Sequence, residues 1–352
     1  MKVRFGVMGY GFMGHIHVEK LMKRNDCEVI AVCDTNQEKM ADVPDGIETY
    51  SSMDEMLEKA DINTVLISVP NHIHLEAVEK SARKGKNILC EKPVALTLDE
   101  LDKMEEIIKE TGVKFSVHQQ RRWDWDYRTA KEVYDSKTLG NVYTIQSKLY
   151  GFNGNMHDWH VYPEFGGGML FDWGVHLIDQ MLFMVDSKIT SVYADVRNVI
   201  NEKVDDYFKI ILSFENGVTG EIELGTYFLA DKEKWFERHW IMGGDKGTMY
   251  SDGFAPEGKI VRTTRLLTNV PGKTTMTASG PTRSFGPPAD GLIITEPLPK
   301  VVTDQSYYYD NFNKAVNGEA DFVVTIPQVR RVLKLMEAAR ESARTHKSVD
   351  FE

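Results

Sequence analysis

Over the first 120 or so residues, short apolar runs alternate with helical patterns, and this alternation leaves few folds open. Val3–Met8 is an apolar run, followed at once by Gly9-Tyr10-Gly11-Phe12-Met13-Gly14 and a helical pattern through Leu21 and Met22. Residues 29–33 read as a second buried strand ending in Asp34, and Ser52-x-x-Glu55 resembles a capping box before a short helix. A β-rich strand over 62–69 then leads into Pro70-Asn71-His72-Ile73-His74. A helix over 75–85, a strand Asn87–Cys90, a helix opened by Thr97-x-x-Glu100 and closed by Gly112, and a strand over 113–117 complete the series. A helix between each pair of strands returns the chain to the same end of the sheet. The expected fold is therefore α/β, a doubly wound parallel sheet.

The glycine turn has a chemical reading in this setting. Gly9 would make the tight turn, Gly11 would let the backbone approach a pyrophosphate, and Gly14 would allow the helix to pack closely. The free amides at the helix N-terminus would meet the phosphate charge. Asp34 follows at the distance where a carboxylate can accept both ribose hydroxyls, and its charge would repel a 2′-phosphate. The next residues are Thr35, Asn36 and Gln37, with no arginine, so NAD is expected over NADP. Glu91-Lys92-Pro93 leaves another strand end. Pro93 restricts the residue before it to extended geometry and would aim Lys92 at the cofactor crevice, where a partly desolvated lysine can exchange a proton.

After Gln120-Arg121-Arg122-Trp123-Asp124-Trp125 the pattern changes. A helix through 131–134 and a long strand over 142–149 precede a loop over 151–165, dense in aromatic and polar groups and including His157, Asp158, Trp159 and His160. Rings beside hydrogen-bonding side chains suit the faces and hydroxyls of a sugar. No complete metal-ligand spacing is present, and no metal is expected. Residues 166–179, Gly-Gly-Gly-Met-Leu-Phe-Asp-Trp-Gly-Val-His-Leu-Ile-Asp, then read as a helix apolar almost all round, with Asp172, His176 and Asp179 on one stripe. Ionisable groups on a buried helix need partners or a cleft. The stripe fits a functional cleft and also a structural cluster with His176 bonded to Asp172. Strands without intervening helices follow at 190–196, 206–214, 218–227, 238–242 and 247–251, with a hairpin signal at Asn216-Gly217, and read as one antiparallel sheet. Residues 271–303, rich in Pro, Gly, Ser and Thr, suggest a surface excursion or an arm to a neighbouring subunit, and helices are expected over 305–316 and 328–345.

A length of 352 residues exceeds what one core usually supports, and two domains are expected. With 53 acidic against 42 basic residues the net charge is -11, which argues against a nucleic-acid or anionic-membrane surface. No stretch approaches the ~18 apolar residues of a membrane span, and no signal-peptide pattern opens the chain, so a cytoplasmic location is expected. Cys27, Cys33 and Cys90 are an odd count, and Cys33 and Cys90 fall in expected strands. Reduced core thiols are expected.

The glycine loop, Asp34, the Glu91-Lys92-Pro93 turn, Arg121-Arg122-Trp123-Asp124 and the Gly-Gly-Gly-x-Leu-x-Asp-x-Gly-x-His-x-x-Asp helix together resemble the Gfo/Idh/MocA oxidoreductases, and the resemblance covers essentially the whole chain. It implies a Rossmann domain over residues 1–122. A substrate-binding and oligomerisation domain over 123–352 would carry a large open, mostly antiparallel sheet that makes a homodimer or homotetramer. It implies NAD(P)-dependent oxidation of a secondary alcohol on a sugar, glycoside or inositol, C3 of a glucoside among them. Related readings are a redox-neutral glycosidase or epimerase holding NAD tightly, and a non-catalytic sensor. Carried over by position, Lys92, Asp172 and His176 would be catalytic, with Lys92 or His176 as the base. Gly9, Gly11, Phe12, Met13, Gly14, Asp34, Thr35, Ser68, Pro70, Asn71, His74, Glu91, Lys92, Gln120 and Arg122 would contact the cofactor. Lys92, Trp123, His157, Trp159, His160, Asp172 and His176 would contact substrate. Many family members have Asn where this chain has Gln120.

Overall fold

A computed structural model describes residues 2–151, 158–228, 233–266, 273–284 and 290–352. The first part is β1 (Val3–Met8), α1 (Phe12–Met22), β2 (Cys27–Cys33), β3 (Glu48–Tyr50), α2 (Met53–Lys59), β4 (Thr64–Ile67), α3 (His74–Arg83), β5 (Asn87–Cys90), α4 (Leu98–Thr111) and β6 (Phe115–Val117). These six strands form one parallel sheet in the order β3-β2-β1-β4-β5-β6. The order reverses between β1 and β4, which opens a crevice beyond their C-terminal ends, where doubly wound sheets bind ligands. The central strands are mainly apolar because helices cover both faces: Val7, Val65, Leu66 and Leu89 have no exposed surface, whereas the edge strand β3 is polar and largely exposed. Thr97 caps α4 by accepting from Glu100 N–H at 3.2 Å, whereas Ser52 precedes α2 without a side-chain capping bond.

The second part opens with α5 (Trp125–Asp135) and β7 (Val142–Gly151). A π-helical turn (Leu170–Gly174) runs directly into α6 (Val175–Met184). There follow β8 (Ile189–Arg197), β9 (Tyr207–Phe214), β10 (Thr219–Gly225), β11 (Phe236–Gly244), β12 (Gly247–Asp252), β13 (Glu257–Thr263), a hairpin β14 (Lys273–Thr277) and β15 (Gly280–Ser284), β16 (Ile293–Pro297), α7 (Tyr307–Val316), α8 (Ile326–Thr345) and β17 (Val349–Asp350). Nine of these strands make one sheet, β16-β13-β12-β11-β7-β10-β9-β8-β17. It is antiparallel except that β10 runs parallel to β7, as the expectation of a mostly antiparallel sheet allows. The expected surface excursion over 271–303 partly dissolves too, since β16 is the sheet's edge strand.

One face of the large sheet buries Ile145, Leu149, Phe208, Ile210, Ile222, Leu224 and Met242 in a core continuous with α6 and α8. The other face carries Lys148, Lys209, Glu221 and Glu223, paired among themselves, with Tyr150 and Tyr207 both donating to Glu223. Alternation with period two puts the apolar set on one side and the polar set on the other. The chain then returns to the first sheet: Tyr308 on α7 donates to Val117 O at 2.8 Å, and Phe312 stacks on Phe5. All three cysteines are free and buried.

Candidate active site

The first half of the chain reaches the crevice through loops that leave the C-terminal ends of β1, β2, β4 and β5. After β1 the chain turns at Gly9 with φ +90°, where a Cβ would lie 2.5 Å from the Ser68 carbonyl oxygen. A Cβ on Gly14 would collide with Gly9 O, whereas one on Gly11 would meet nothing within 4 Å. The loop is thus tight against the protein at its two ends and open at Gly11, the geometry that admits a pyrophosphate to backbone amides. Ser68 holds the turn by donating to Gly9 O at 2.8 Å. Asp34 accepts from Tyr10 N–H and Asn36 N–H, both at 2.8 Å, which fixes its carboxylate beside the loop. Phe12 is 81% exposed at the start of α1. These residues fit a dinucleotide.

Lys92 follows β5, and its peptide bond to Pro93 is cis. Its ammonium donates to Asp172 Oδ1 at 2.8 Å and to Asp172 O at 2.9 Å, leaving one of its three donors without a partner among the described residues. Asp172 sits in the π turn. Burial opposes its charge, but Lys92 outweighs that, and the carboxyl is held below its ordinary range. His160 lies 3.7 Å from the other carboxylate oxygen and stacks on Trp159. The three glycines make this approach possible: a Cβ on Gly167 would sit 2.6 Å from His160 O, and Gly168 has φ +100°.

His176 is buried and does not bond Asp172. Its Nδ1 lies 2.9 Å from Gln119 Oε1. With the Gln119 amide assigned in this orientation, the proton sits on Nδ1 and the Nε2 lone pair has no partner among the described residues. Burial first, then the nearby Lys92 and Arg121 charges, push this imidazole well below its ordinary pKa, so it is neutral at pH 7. Arg121 lies over the Trp173 ring at 4.0 Å and donates to Asp124. A cavity of about 250 Å³ beside it is lined by Trp123, Trp125, Phe254 and Gln305.

Other expected site residues are placed differently. Asp179 takes both Arg122 Nε and Nη2 at 2.7 Å, while Arg122 Nη1 donates to Val323 O. His74 Nδ1 and Nε2 lie against Val94 O and Val69 O. The Glu91 carboxylate turns inward onto His17 and His118. Asn71 donates to Phe165 O and so ties the Pro70–His74 turn to the second half of the chain. Gln120 is buried, with Oε1 unpartnered among the described residues. Trp123 packs edge-on against Tyr308. His157 lies outside the described residues. Gln119, Arg121 and Trp173 are missing from the set expected from sequence. Position was the available signal for Gln119, which stands two residues past the end of β6.

The fold agrees with the relatives of this chain. Residues 3–119 match the model for an oxidoreductase family with an NAD-binding Rossmann fold, and residues 127–250 match that for the GFO/IDH/MocA C-terminal domain. An uncharacterized oxidoreductase of Schizosaccharomyces pombe is 28% identical over 328 residues, covering 90% of this chain and 88% of the relative. A myo-inositol 2-dehydrogenase of Thermotoga maritima is 25% identical over 278 residues, covering 77% and 79%. The crystal structure of an NAD-binding protein from Listeria innocua superposes with a TM-score of 0.85 at 33% identity, over 100% of this chain and 97% of the other.

Proposed function

This chain belongs to the Gfo/Idh/MocA family of NAD(P)-dependent oxidoreductases, and on that premise we propose that it oxidises a secondary hydroxyl of a sugar, glycoside or inositol, with Lys92, Asp172 and His176 managing the hydroxyl proton. The observation that carries this reading is the Lys92–Asp172 pair at 2.8 Å, beside a neutral His176, where the parallel strands end. NAD, when bound, supplies the acceptor for the hydride on the hydroxyl-bearing carbon. Gly9, Gly11, Phe12, Met13, Gly14, Asp34, Thr35, Ser68 and Pro70 would hold it.

The remaining donor of Lys92 orients the substrate oxygen and stabilises the negative charge that grows there as the proton departs. His176 Nε2 takes that proton. A strongly depressed imidazole pKa makes a weak base, so the Lys92 charge must acidify the hydroxyl for the transfer to run. Asp172 holds Lys92 in place. His160, Trp159, Trp123 and the cavity next to Arg121 would receive the rest of the substrate, and aromatic faces suit a sugar ring or an aglycone. The open face of the large sheet, with Tyr143, Tyr193 and Tyr250 exposed, would pair two copies. No helix among the described residues is long and apolar enough to cross a membrane.

The test is a panel of inositols, hexoses and glucosides, including glucosides with a free C3 hydroxyl, assayed with NAD by absorbance of the reduced cofactor. Turnover on at least one member, abolished by Lys92→Ala, is expected. Silence across the panel would sink the proposal.

A further inference from the structure

Directly before Lys92 stands a buried carboxylate that the proposed chemistry does not use. Glu91 is 5% exposed. Its Oε1 receives His17 Nε2 and His118 Nδ1, each at 2.7 Å, and its Oε2 accepts the Lys92 backbone N–H at 3.0 Å. A carboxylate only accepts, so both imidazole nitrogens donate to it. Beyond the first ring, the Tyr309 hydroxyl lies 2.7 Å from His17 Nδ1. The rings also pack together: His118 is 4.6 Å from His17 and 5.5 Å from Tyr309, centroid to centroid.

Each member comes from a different part of the chain. His17 lies on α1, which begins at the glycine loop; His118 directly follows β6; Tyr309 belongs to α7. An apolar side chain would fill the space at position 91 without the several kcal/mol, or roughly more, that burying a carboxylate costs. What the carboxylate adds is a fixed acceptor for the Lys92 amide. Since Asp172 holds the ammonium, Lys92 is secured at both ends.

We infer that Glu91, with His118, His17 and, through His17, Tyr309, forms a positioning device that fixes the Lys92 backbone and ties it to the helix behind the glycine loop. None of the four touches substrate on this reading. Their importance for turnover rests on the function proposed above, but their grip on Lys92 does not. The same three ligand atoms, His17 Nε2, Glu91 Oε1 and His118 Nδ1, lie close enough to hold a metal ion. Distances of 2.7 Å are those of hydrogen bonds, and the protons account for them without a metal.

Two substitutions separate the device from mere packing. His118→Leu removes one donor to Glu91; His118→Asn places an amide N–H close to where Nδ1 stood. The first readout needs no turnover: the rate at which an amine-reactive ester modifies Lys92 in the cofactor-free protein, followed on the Lys92 peptide by mass spectrometry. The second is kcat against KM, with NADH binding by fluorescence. In His118→Leu we expect Lys92 to react several-fold faster and kcat to fall roughly tenfold, the weight of one hydrogen bond to a charged group, with KM and the NADH Kd little changed. His118→Asn should restore both. If His118→Leu does not fold, Tyr309→Phe removes only the outer hydrogen bond and should accelerate labelling in the same direction. Unchanged labelling, equal losses in the Leu and Asn variants, or one metal ion per wild-type chain that His118→Leu lacks would each overturn the inference. Because labelling needs no substrate, a protein inactive on every sugar still answers the question.

Discussion

Lys92 Nζ binds both the carboxylate and the backbone carbonyl of Asp172, at 2.8 and 2.9 Å, so a single lysine clamps one residue of the π turn by its side chain and its main chain. The clamp joins the loop after β5 to the helix of the other sheet. Replacing Lys92 by Met keeps the length and removes both bonds and the charge. Turnover should fall by roughly 10²- to 10⁴-fold, the range for a positioned proton-handling group, while NADH still binds at the glycine loop. Steady-state kinetics with fluorescence titration of NADH checks this. An enzyme that keeps its kcat would remove Lys92 from the chemistry.

The stability of the second half leans on another pair. Arg122 and Asp179 meet through two 2.7 Å bonds, and both are about 2% exposed. Removing either partner alone strands a buried charge, at a cost of about 3–5 kcal/mol. Arg122→Met and Asp179→Leu should each lower the urea midpoint sharply, and the double variant should recover most of the loss. If the single variants unfold like wild type, the pair is not buried as described.

Acid should weaken the fold. Burial holds His74, His118 and His176 below the ordinary imidazole range, His118 down to about 4. Below about pH 6.5 the unfolded chain binds protons that these folded rings refuse, so the stability they contribute above that pH drains away as pH falls, by about 1.4 kcal/mol per pH unit per ring. Asp205, pushed up to about 6 mainly by burial, and Asp124, raised by the same cause, work the opposite way, since their folded forms take up a proton first. The three rings outweigh the two carboxyls. Urea unfolding should therefore give a lower free energy at pH 5 than at pH 7.5; a flat or rising stability would contradict neutral burial.

Features set by local spacing could be read directly from the sequence. Alternation over the first 120 residues specified the parallel sheet because each crossover needs a helix, and the glycine loop lay between the strand and helix it requires. Partners distant in the chain could not be read that way. A helix drawn at 100° per residue puts Asp172, His176 and Asp179 on one stripe, but the π turn over Leu170–Gly174 shifts Asp172 in phase against His176 and Asp179, which stay together on regular α6. The three then take separate partners, Lys92, Gln119 and Arg122, each 57 or 80 residues away. The cluster on Glu91 joins residues 17, 118 and 309, which no window could have paired. Strands β13 and β16 stayed hidden because their exposed edge carries little apolar alternation.

On the proposed reading, cofactor choice turns on Asp34. Its two oxygens are pinned by the amides of Tyr10 and Asn36, so the carboxylate cannot swing aside when a dinucleotide enters. A 2′-phosphate there would meet a fixed like charge, and at about 4 Å that repulsion is on the order of 1–4 kcal/mol between water and a protein surface. NADH should therefore bind from several-fold to several-hundred-fold more tightly than NADPH. Asp34→Asn keeps an acceptor for one amide while removing the charge, and should shrink the difference mainly by improving NADPH. Fluorescence titration of both reduced cofactors against both proteins measures it. Tighter binding of NADPH to the wild type would show that Asp34 does not read the ribose.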